Sequence, residues 1–339
     1  MRSSVLAAAL ALGATWCVRA EEPSPPITVV SPKPQGIIAT GINSGGDVIG
    51  FEWIEEEEHP GVVAQVPFFA RGDAITYLPL LEGYTATFPA AVSDGGLVVG
   101  RVSKPMTPGV RTPLLNQGFV WDEGRGIRGL GALEGDYSSF ATGVSSDGGR
   151  ISGFSVGENR VRACVWNLEG ETWIGTALPH EDQLGSNVVA ISDDGKSVAA
   201  TDGVFGCLWT EDEAGSWTRT VISESGGLIP RAVNNSGMVV GLTSAGDGLP
   251  HAVVWTRDGG YERLAEPEGY LRSEASDVNN RGVVVGMMDG PAGSDIGPDP
   301  FVYEDGALRR IDEGGPMFSS ASAINDRGQV AGILESDDF

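Results

Sequence analysis

A short pattern of apolar and turn-forming residues recurs seven times along the chain. In each copy a β-branched residue precedes Asn or Ser, a Gly follows three positions later, and an apolar run comes next. The turn residues are Asn43 and Gly46, Ser93 and Gly96, Ser145 and Gly148, Ser192 and Gly195, Asn234 and Gly237, Asn279 and Gly282, and Asn325 and Gly328. These glycines lie 42 to 52 residues apart, with a mean spacing of 47. A period of this size indicates a solenoid, a propeller or another array of repeats.

The local chemistry of the unit predicts a β-hairpin. Asn or Ser suits the first position of a type I turn, and Gly allows the positive φ needed at the fourth. A type I turn followed by a left-handed residue joins two antiparallel strands. In some units the returning strand is a continuous run of β-branched residues, as at Val283, Val284 and Val285. Such a run is typical of a strand that is covered on both faces.

Two further strands follow each complete hairpin. The third ends in an aromatic residue at Trp121, Trp166, Trp209, Trp255 and Tyr303, and a shorter fourth strand comes after it. Four short antiparallel strands per repeat predict an all-β propeller of seven blades. The last hairpin is followed by no third or fourth strand, and residues 26–30 resemble a fourth strand with no unit before them. We therefore expect this N-terminal strand to close an incomplete seventh blade.

The first 20 residues have the pattern of a secretory signal peptide, so we expect them to direct export and not to form part of the fold. Arg2 begins a short apolar run, and Val18 and Ala20 stand where a signal peptidase requires small residues. We expect cleavage near Ala20, export to the periplasm or the medium, and a single propeller domain over residues 21–339. No later run is long enough for a transmembrane helix. An uncleaved anchor is the alternative.

Composition narrows the classes of partner. The 339 residues include 46 Asp and Glu but only 22 Lys and Arg, giving a formal charge of −24. Nucleic acid binding requires clustered basic residues, so we expect no nucleic acid partner. The acidic surface favours solubility and cation association. A chain that closes its own ring is expected to be a monomer.

The repeat resembles the HAF-type extracellular repeat of bacterial secreted proteins. Residues 129–141 (GLGALEGDYSSFA), the following turn to Gly148 and then Gly153 carry the resemblance, and residues 251–255 (HAVVW) are similar to the strand that names the repeat. The resemblance covers nearly all of residues 39–334. It implies secretion and a propeller-like array, and it transfers no catalytic residues.

No arrangement of reactive residues predicts catalysis, and no spacing predicts a metal site. The acidic turns fit neither the EF-hand nor the nonapeptide calcium pattern, so we assign no cofactor and keep calcium as an open alternative. Cys164 and Cys207 stand at equivalent positions of neighbouring repeats, too far apart for a disulfide. We expect both to be buried as small hydrophobic residues.

The long loops between the second and third strands are the candidate binding surface. In a propeller these loops open on the face opposite the tight turns, and long loops on a rigid scaffold commonly carry binding residues. The candidate residues are Trp53, Glu55, His59, Arg101, Arg111, Asp295 and Asp299. Trp53 is the most informative, because an exposed aromatic ring there stacks on a sugar or on a partner.

Together these features predict a secreted, non-catalytic propeller that acts as a binding or scaffold module for a protein or a polysaccharide. A lectin-like carbohydrate-binding protein is the narrower alternative. A hydrolase or lyase that uses carboxylates at the mouth of the channel is the third possibility.

Overall fold

The computed structural model describes residues 28–29, 37–55, 63–104, 115–180, 185–224, 227–244, 246–291, 298–311 and 318–334. All regular structure in these ranges is β-strand. The first nine strands are β1 (Thr28–Val29), β2 (Ile37–Ile42), β3 (Val48–Glu55), β4 (Val63–Arg71), β5 (Ala74–Tyr77), β6 (Ala86–Val92), β7 (Val98–Ser103), β8 (Asn116–Asp122) and β9 (Gly126–Gly129). The next eight are β10 (Ser138–Val144), β11 (Arg150–Val156), β12 (Val161–Glu169), β13 (Thr172–Ala177), β14 (Ser186–Ile191), β15 (Ser197–Asp202), β16 (Phe205–Glu211) and β17 (Trp217–Ser223). The remaining ten are β18 (Ile229–Val233), β19 (Val239–Thr243), β20 (His251–Thr256), β21 (Gly260–Arg263), β22 (Arg272–Val278), β23 (Val284–Asp289), β24 (Asp299–Glu304), β25 (Ala307–Arg310), β26 (Phe318–Ile324) and β27 (Gln329–Leu334).

The strands form a β-propeller with six four-stranded blades. The blades are β2–β5, β6–β9, β10–β13, β14–β17, β18–β21 and β22–β25, and each is an antiparallel meander. The first strand of each blade lines a central channel, and the fourth is the outermost. The repeat of 47 residues is therefore one blade, as the four-strand pattern predicts.

The prediction of seven blades is wrong by one. Strands β26 and β27 form the seventh hairpin, and β1 pairs with β27 in parallel through Thr28 opposite Gln329. These three strands do not stand as a separate sheet, because Ile38 of β2 pairs with Ile333 of β27. That pairing joins them to the sheet of the first blade. The N-terminal strand does lie on the last hairpin, but the hairpin extends an existing sheet instead of making its own blade.

Seven tight turns nevertheless surround the channel, and hydrogen bonds link them in a closed circle. The Nδ2 of Asn43 donates to Ser93 O at 2.9 Å, and the Nδ2 of Asn325 donates to Asn43 O at 2.9 Å. Asn234 and Asn279 donate in the same way to the next turn. The serine turns are linked by backbone N–H donors instead: Asp94 N–H donates to Ser146 O, Ser146 N–H to Asp193 O, and Asp194 N–H to the side-chain Oδ1 of Asn235. Each turn therefore holds its neighbour.

Every inner strand contains a β-bulge at the same position. The extra residues are Thr40, Ala90, Thr142, Val189, Arg231, Ser276 and Ser322. The bulge brings a carbonyl oxygen of the inner strand against the second strand. A Cβ at Gly100 would lie 2.0 Å from Phe88 O, and one at Gly153 would lie 1.9 Å from Phe140 O. This close approach explains why each unit has a second small residue at this position of the second strand: Gly50, Gly100, Gly153, Ala200, Gly241, Gly286 or Gly332.

The apolar core lies between neighbouring sheets, where the β-branched second strands meet the aromatic third strands. Trp166 and Trp209 are fully buried in two of these layers. Cys164 and Cys207 are buried and unpaired, as the repeat register predicts, and burial raises the pKa of the Cys164 thiol. The core thus consists of layers between blades, which leaves the channel and the loop face for polar chemistry.

Candidate functional site

The channel contains two overlapping cavities. One, of about 120 Å³, lies at the end formed by the tight turns. The other, of about 200 Å³, is lined by all seven bulge residues. Asp193 and Asp277 line both cavities. The channel is therefore acidic at the turn end and lined mostly by small or hydroxyl side chains around the bulges.

Amide groups hold the carboxylates at the turn end. Asn280 Nδ2 donates to Asp193 Oδ2 at 2.7 Å and to Asp326 Oδ2 at 3.0 Å. Asp277 accepts the backbone N–H of Ile324 and that of Val278, each at 2.8 Å. The Asp277 carboxyl therefore links the sixth blade to the seventh hairpin.

Burial and mutual repulsion favour the protonated form of two of these acids. Burial is the largest cause that raises the pKa of Asp277 to about 7; the two backbone donors oppose the rise, and the nearby carboxylates of Asp193 and Asp326 add to it. Burial also raises the pKa of Asp193, with repulsion from Asp326 and Asp94 adding to it and the amide of Asn280 opposing it. The channel thus holds one carboxyl group, that of Asp277, with a pKa near neutral, and a second, that of Asp193, whose pKa is shifted in the same direction.

The loop face carries the exposed aromatic residue that the sequence singles out. Trp53 is 43% exposed and lies near the end of β3. The pairing of β3 with β4 continues to Glu55 opposite Val63. In the second and third blades the corresponding pairing ends at Ser103 and Val156, which are equivalent to Trp53 in the repeat. The first hairpin therefore extends further over the loop face than its neighbours, with Trp53 on the extension.

Below Trp53, an aromatic pair and an arginine join the first two blades. Phe51 lies two residues before Trp53, so both side chains lie on one face of β3. The rings of Phe51 and Phe88 are 6.2 Å apart, and the Arg101 guanidinium lies 4.0 Å from the centre of the Phe88 ring. Arg101 also donates to Asn116 Oδ1 at 3.2 Å. Burial lowers the pKa of Arg101. Arg101 thus contacts Phe88, which packs on Phe51, and Trp53 lies two residues along the same strand face.

Asp299 is the one other candidate whose side chain the structure describes, and it lies apart from this cluster. Asp299 lies on β24 in the sixth blade, where it accepts the Tyr270 hydroxyl at 2.6 Å and forms an ion pair with Arg310 at 3.1 Å. Those contacts with Asp299 raise the pKa of Tyr270 further, to about 12, in addition to the effect of burial. Glu55 ends β3. The remaining three candidates, His59, Arg111 and Asp295, lie outside the described residues.

His251 is buried between two carboxylates. Its Nδ1 lies 2.6 Å from Glu266 Oε1, and its Nε2 lies 3.0 Å from Asp247 Oδ1. Ser273 Oγ donates to the same Glu266 oxygen at 2.8 Å. The histidine therefore ties two loops of the fifth and sixth blades together at the loop face, as the first residue of a third strand.

The alignment of the seven repeats marks two charged residues, Asp277, which is not among the candidates from the sequence, and Arg101, which is. Asp277 precedes the β-branched turn residue Val278, and the equivalent positions of the other six units hold only Gly or Ala: Gly41, Ala91, Gly143, Ala190, Ala232 and Ala323. Arg101 follows the second small residue, and the equivalent positions elsewhere are Phe51, Phe154, Thr201, Leu242, Met287 and Ile333. Both are charged residues where the repeat otherwise carries uncharged ones, which is a signal readable from the sequence.

The described ranges contain neither a cluster of metal ligands nor a helix that could span a membrane. No group of three or more His, Cys, Asp or Glu residues there is arranged to hold a metal ion. None of the same residues forms a helix long and apolar enough to cross a bilayer.

Known proteins resemble this chain in structure but not in sequence. No family model matches the sequence, and no curated protein matches it. A structure from an analysis of two prolyl endopeptidases superposes with a TM-score of 0.54 at 15% identity, over 81% of this chain and 42% of that one. Puromycin hydrolase superposes with a TM-score of 0.53 at 12% identity, over 86% of this chain and 48% of that one.

TolB from Acinetobacter baumannii is a third structural neighbour. Its TM-score is 0.51 at 13% identity, and the match covers 85% of this chain and 66% of TolB. This chain therefore spans between 42% and 66% of the length of these three solved chains. At such identities the likeness shows the fold alone, and the protein is similar to these chains as a β-propeller.

Proposed function

We propose that the protein is an exported binding module that holds a partner on its loop face and catalyses no reaction. The observation that carries the proposal is Trp53, which is 43% exposed on the extension of the first hairpin. Large aromatic rings that remain exposed on a rigid sheet are typical of interface hot spots. The six blades provide that rigid support, since their cores lie between the sheets.

The composition and the repeat support the exported location. The basic start and short apolar run of residues 1–20 are those of a signal peptide, and the repeat resembles a secreted family. Mass spectrometry of the protein recovered outside the cytoplasm tests this. An N-terminus at residue 21 is the expected result, and a retained N-terminus contradicts cleavage.

Partner capture on the immobilised protein tests the binding function. The bait is exposed to an envelope extract of the source cell, once with calcium and once with chelator. Trp53→Ala should weaken saturable capture at least tenfold, because truncating a central aromatic anchor commonly costs more than about 1.4 kcal/mol. Ile174→Ala is the matched control, since Ile174 is also 43% exposed but lies on the outer strand β13. Equal loss in both variants, or no capture in either condition, contradicts the proposal.

One observation favours a second function, acid–base catalysis in the channel. Asp277 is a carboxyl group with a pKa of about 7 where six other repeats have Gly or Ala, and it lines a cavity with Asp193. A general acid or base works best with a pKa near the working pH. Under this function the protein would cleave a glycan or peptide bond at the channel, and Asp277→Asn would abolish turnover while leaving capture by Trp53 intact. Absence of turnover on glycan and peptide libraries contradicts it.

A further inference from the structure

We propose that Arg101, Phe88 and Phe51 form a subsite that binds a carboxylate next to an apolar side chain of a polypeptide partner. The inference rests on the proposed binding function and names the partner chemistry for one part of the loop face.

Within the described ranges, Arg101 lacks the carboxylate counter-ion that the other partly buried arginines have. Six described arginines are not exposed: Arg101, Arg128, Arg150, Arg162, Arg219 and Arg272. Five of them contact a carboxylate oxygen at 2.6–2.7 Å. Arg101 contacts only the amide oxygen of Asn116 and the Phe88 ring among the described residues. Among the residues that the structure describes, the half-buried guanidinium of Arg101 thus has no acidic partner.

The surroundings of Arg101 suit an incoming anion. A guanidinium has five N–H donors in a planar fork, and the one hydrogen bond to Asn116 leaves most of them for a ligand. The Phe88 ring, whose centre lies 4.0 Å from Arg101 Cζ, holds the guanidinium in place through a cation–π contact. Burial strengthens a charge-assisted hydrogen bond, because water competes less for the donors. A bidentate carboxylate is the group that this geometry accepts.

The repeat itself provides the comparison for this position. The equivalent residue is Phe51 in the first unit and Phe154 in the third, where Phe154 stacks on Phe140 at 4.4 Å. In the second unit Arg101 takes that place opposite Phe88. The packing role is therefore available to phenylalanine, and the charge of Arg101 is not needed to build a blade. A desolvated cation that the fold does not need indicates a binding role.

The charges around the subsite select a polypeptide over an acidic glycan. The chain carries a formal charge of −24, which repels a polyanion with a carboxylate on every sugar. A peptide segment with one carboxylate and neutral or basic neighbours avoids that repulsion. Phe51 and Trp53 on the same strand face then accept an aliphatic or aromatic side chain next to the carboxylate.

Titration with 3-phenylpropionate tests the subsite directly, with 3-phenylpropanamide as the uncharged analogue. We expect the acid, and not the amide, to shift the Arg101 side-chain Nε–Hε NMR signal of the intact protein. Arg101→Gln should weaken acid binding at least tenfold. Arg125→Gln is the charge-matched control on an exposed turn and should leave binding unchanged. Equal binding by wild type and Arg101→Gln overturns the subsite.

A stability measurement shows whether a loss of binding in Arg101→Gln comes from the missing guanidinium or from unfolding. Removing an unpaired, desolvated charge should leave the urea midpoint unchanged or raise it. Arg101→Lys is the second variant: it keeps the charge but loses the fork, so acid binding should fall severalfold with the fold intact. Unchanged acid binding in the Lys variant overturns the bidentate geometry.

The captured partner separates this inference from the binding function. Loss of partner capture in Arg101→Gln, together with competition by a short peptide carrying one carboxylate next to Phe, supports the subsite. Full capture by the variant overturns the subsite and leaves the binding function standing. No capture by any form, with 3-phenylpropionate still bound at Arg101, defeats the binding function and keeps the anion site. Stronger competition by oligogalacturonate than by the peptide overturns the polypeptide assignment.

Discussion

The Asp277 carboxyl group should make the fold less stable as the pH rises from about 4 to about 7. Burial raises its pKa from 3.8 to about 7, so the folded protein holds this proton more tightly than the unfolded chain does. The resulting stability is fully present below pH 3.8 and is lost as the pH rises through about 7. In a dry interior such a shift corresponds to about 4 kcal/mol. Because Asp277 lines an open channel, screening by water reduces our expectation to about 2 kcal/mol.

Asp277→Asn isolates this contribution. The amide is uncharged at every pH and keeps one oxygen for a backbone donor, so it mimics the protonated acid. We expect the free energy of unfolding of the variant, relative to wild type, to rise by about 2 kcal/mol between pH 4.5 and pH 8. Urea unfolding followed by tryptophan fluorescence measures it at each pH. Asp258→Asn, on an exposed turn, is the control for the change in net charge.

Two outcomes would refute the reasoning. If the stability of wild type and Asp277→Asn differs by the same amount at every pH, the carboxyl does not exchange its proton in the predicted range. If Asp258→Asn reproduces the effect, the pH dependence comes from the overall negative charge and not from the channel.

Three further predictions concern the architecture. Gly100→Ala should lower the free energy of unfolding, measured by urea titration, by about 1–3 kcal/mol, because its Cβ would lie 2.0 Å from Phe88 O. Gly124→Ala is the control: its Cβ would meet no atom closer than 3.4 Å, so the free energy of unfolding should change little. Asn325→Ala removes the side-chain donor that joins the seventh turn to Asn43 O, which keeps only the Gly46 N–H, and it removes the Oδ1 acceptor of the Arg327 and Gln329 N–H groups. It should cost about 1–3 kcal/mol by thermal or urea unfolding. The two buried cysteines should react with a thiol reagent only as fast as the protein unfolds, and a rapid reaction of either thiol in native buffer would contradict their burial.

The repeat made most of the fold predictable. Each Asn/Ser-to-Gly turn specifies a hairpin through local backbone chemistry, and Gly46 and Gly328 indeed have positive φ values of 89° and 77°. The strand that follows is covered on both faces, so its composition alone identifies it. Local rules of this kind do not depend on the rest of the chain, which is why four strands per unit emerged from the sequence.

The blade number was not predictable by the same rules. It depends on whether one pairing, Ile38 with Ile333, joins the last hairpin to the first blade. These residues are 295 positions apart in the chain, and neither carries a turn or a spacing that marks the contact. Counting turns therefore gave seven units, while the hydrogen-bond pattern has six four-stranded blades.

The candidate site was predictable only in part. Trp53 stood out because it breaks the register of the repeated tryptophans. The stacking of Arg101 on Phe88 depends on cross-strand geometry that spacing does not show, although Arg101 itself was a candidate. Asp277 was not a candidate, because it lies next to the turn and Asp is common in turns. Only the alignment of the seven units shows that the other six have Gly or Ala at this position.

The bulge in each inner strand has a consequence for how such a protein diversifies. The extra residue lines the channel without pairing across to the second strand, and the seven positions hold Thr, Ala, Thr, Val, Arg, Ser and Ser. A substitution there changes the lumen and leaves the layers between blades untouched. Single substitutions at these seven positions can therefore change the charge and polarity of the channel lining, while the packing between blades stays the same. The same seven positions are the natural starting point for engineering a new ligand into this fold.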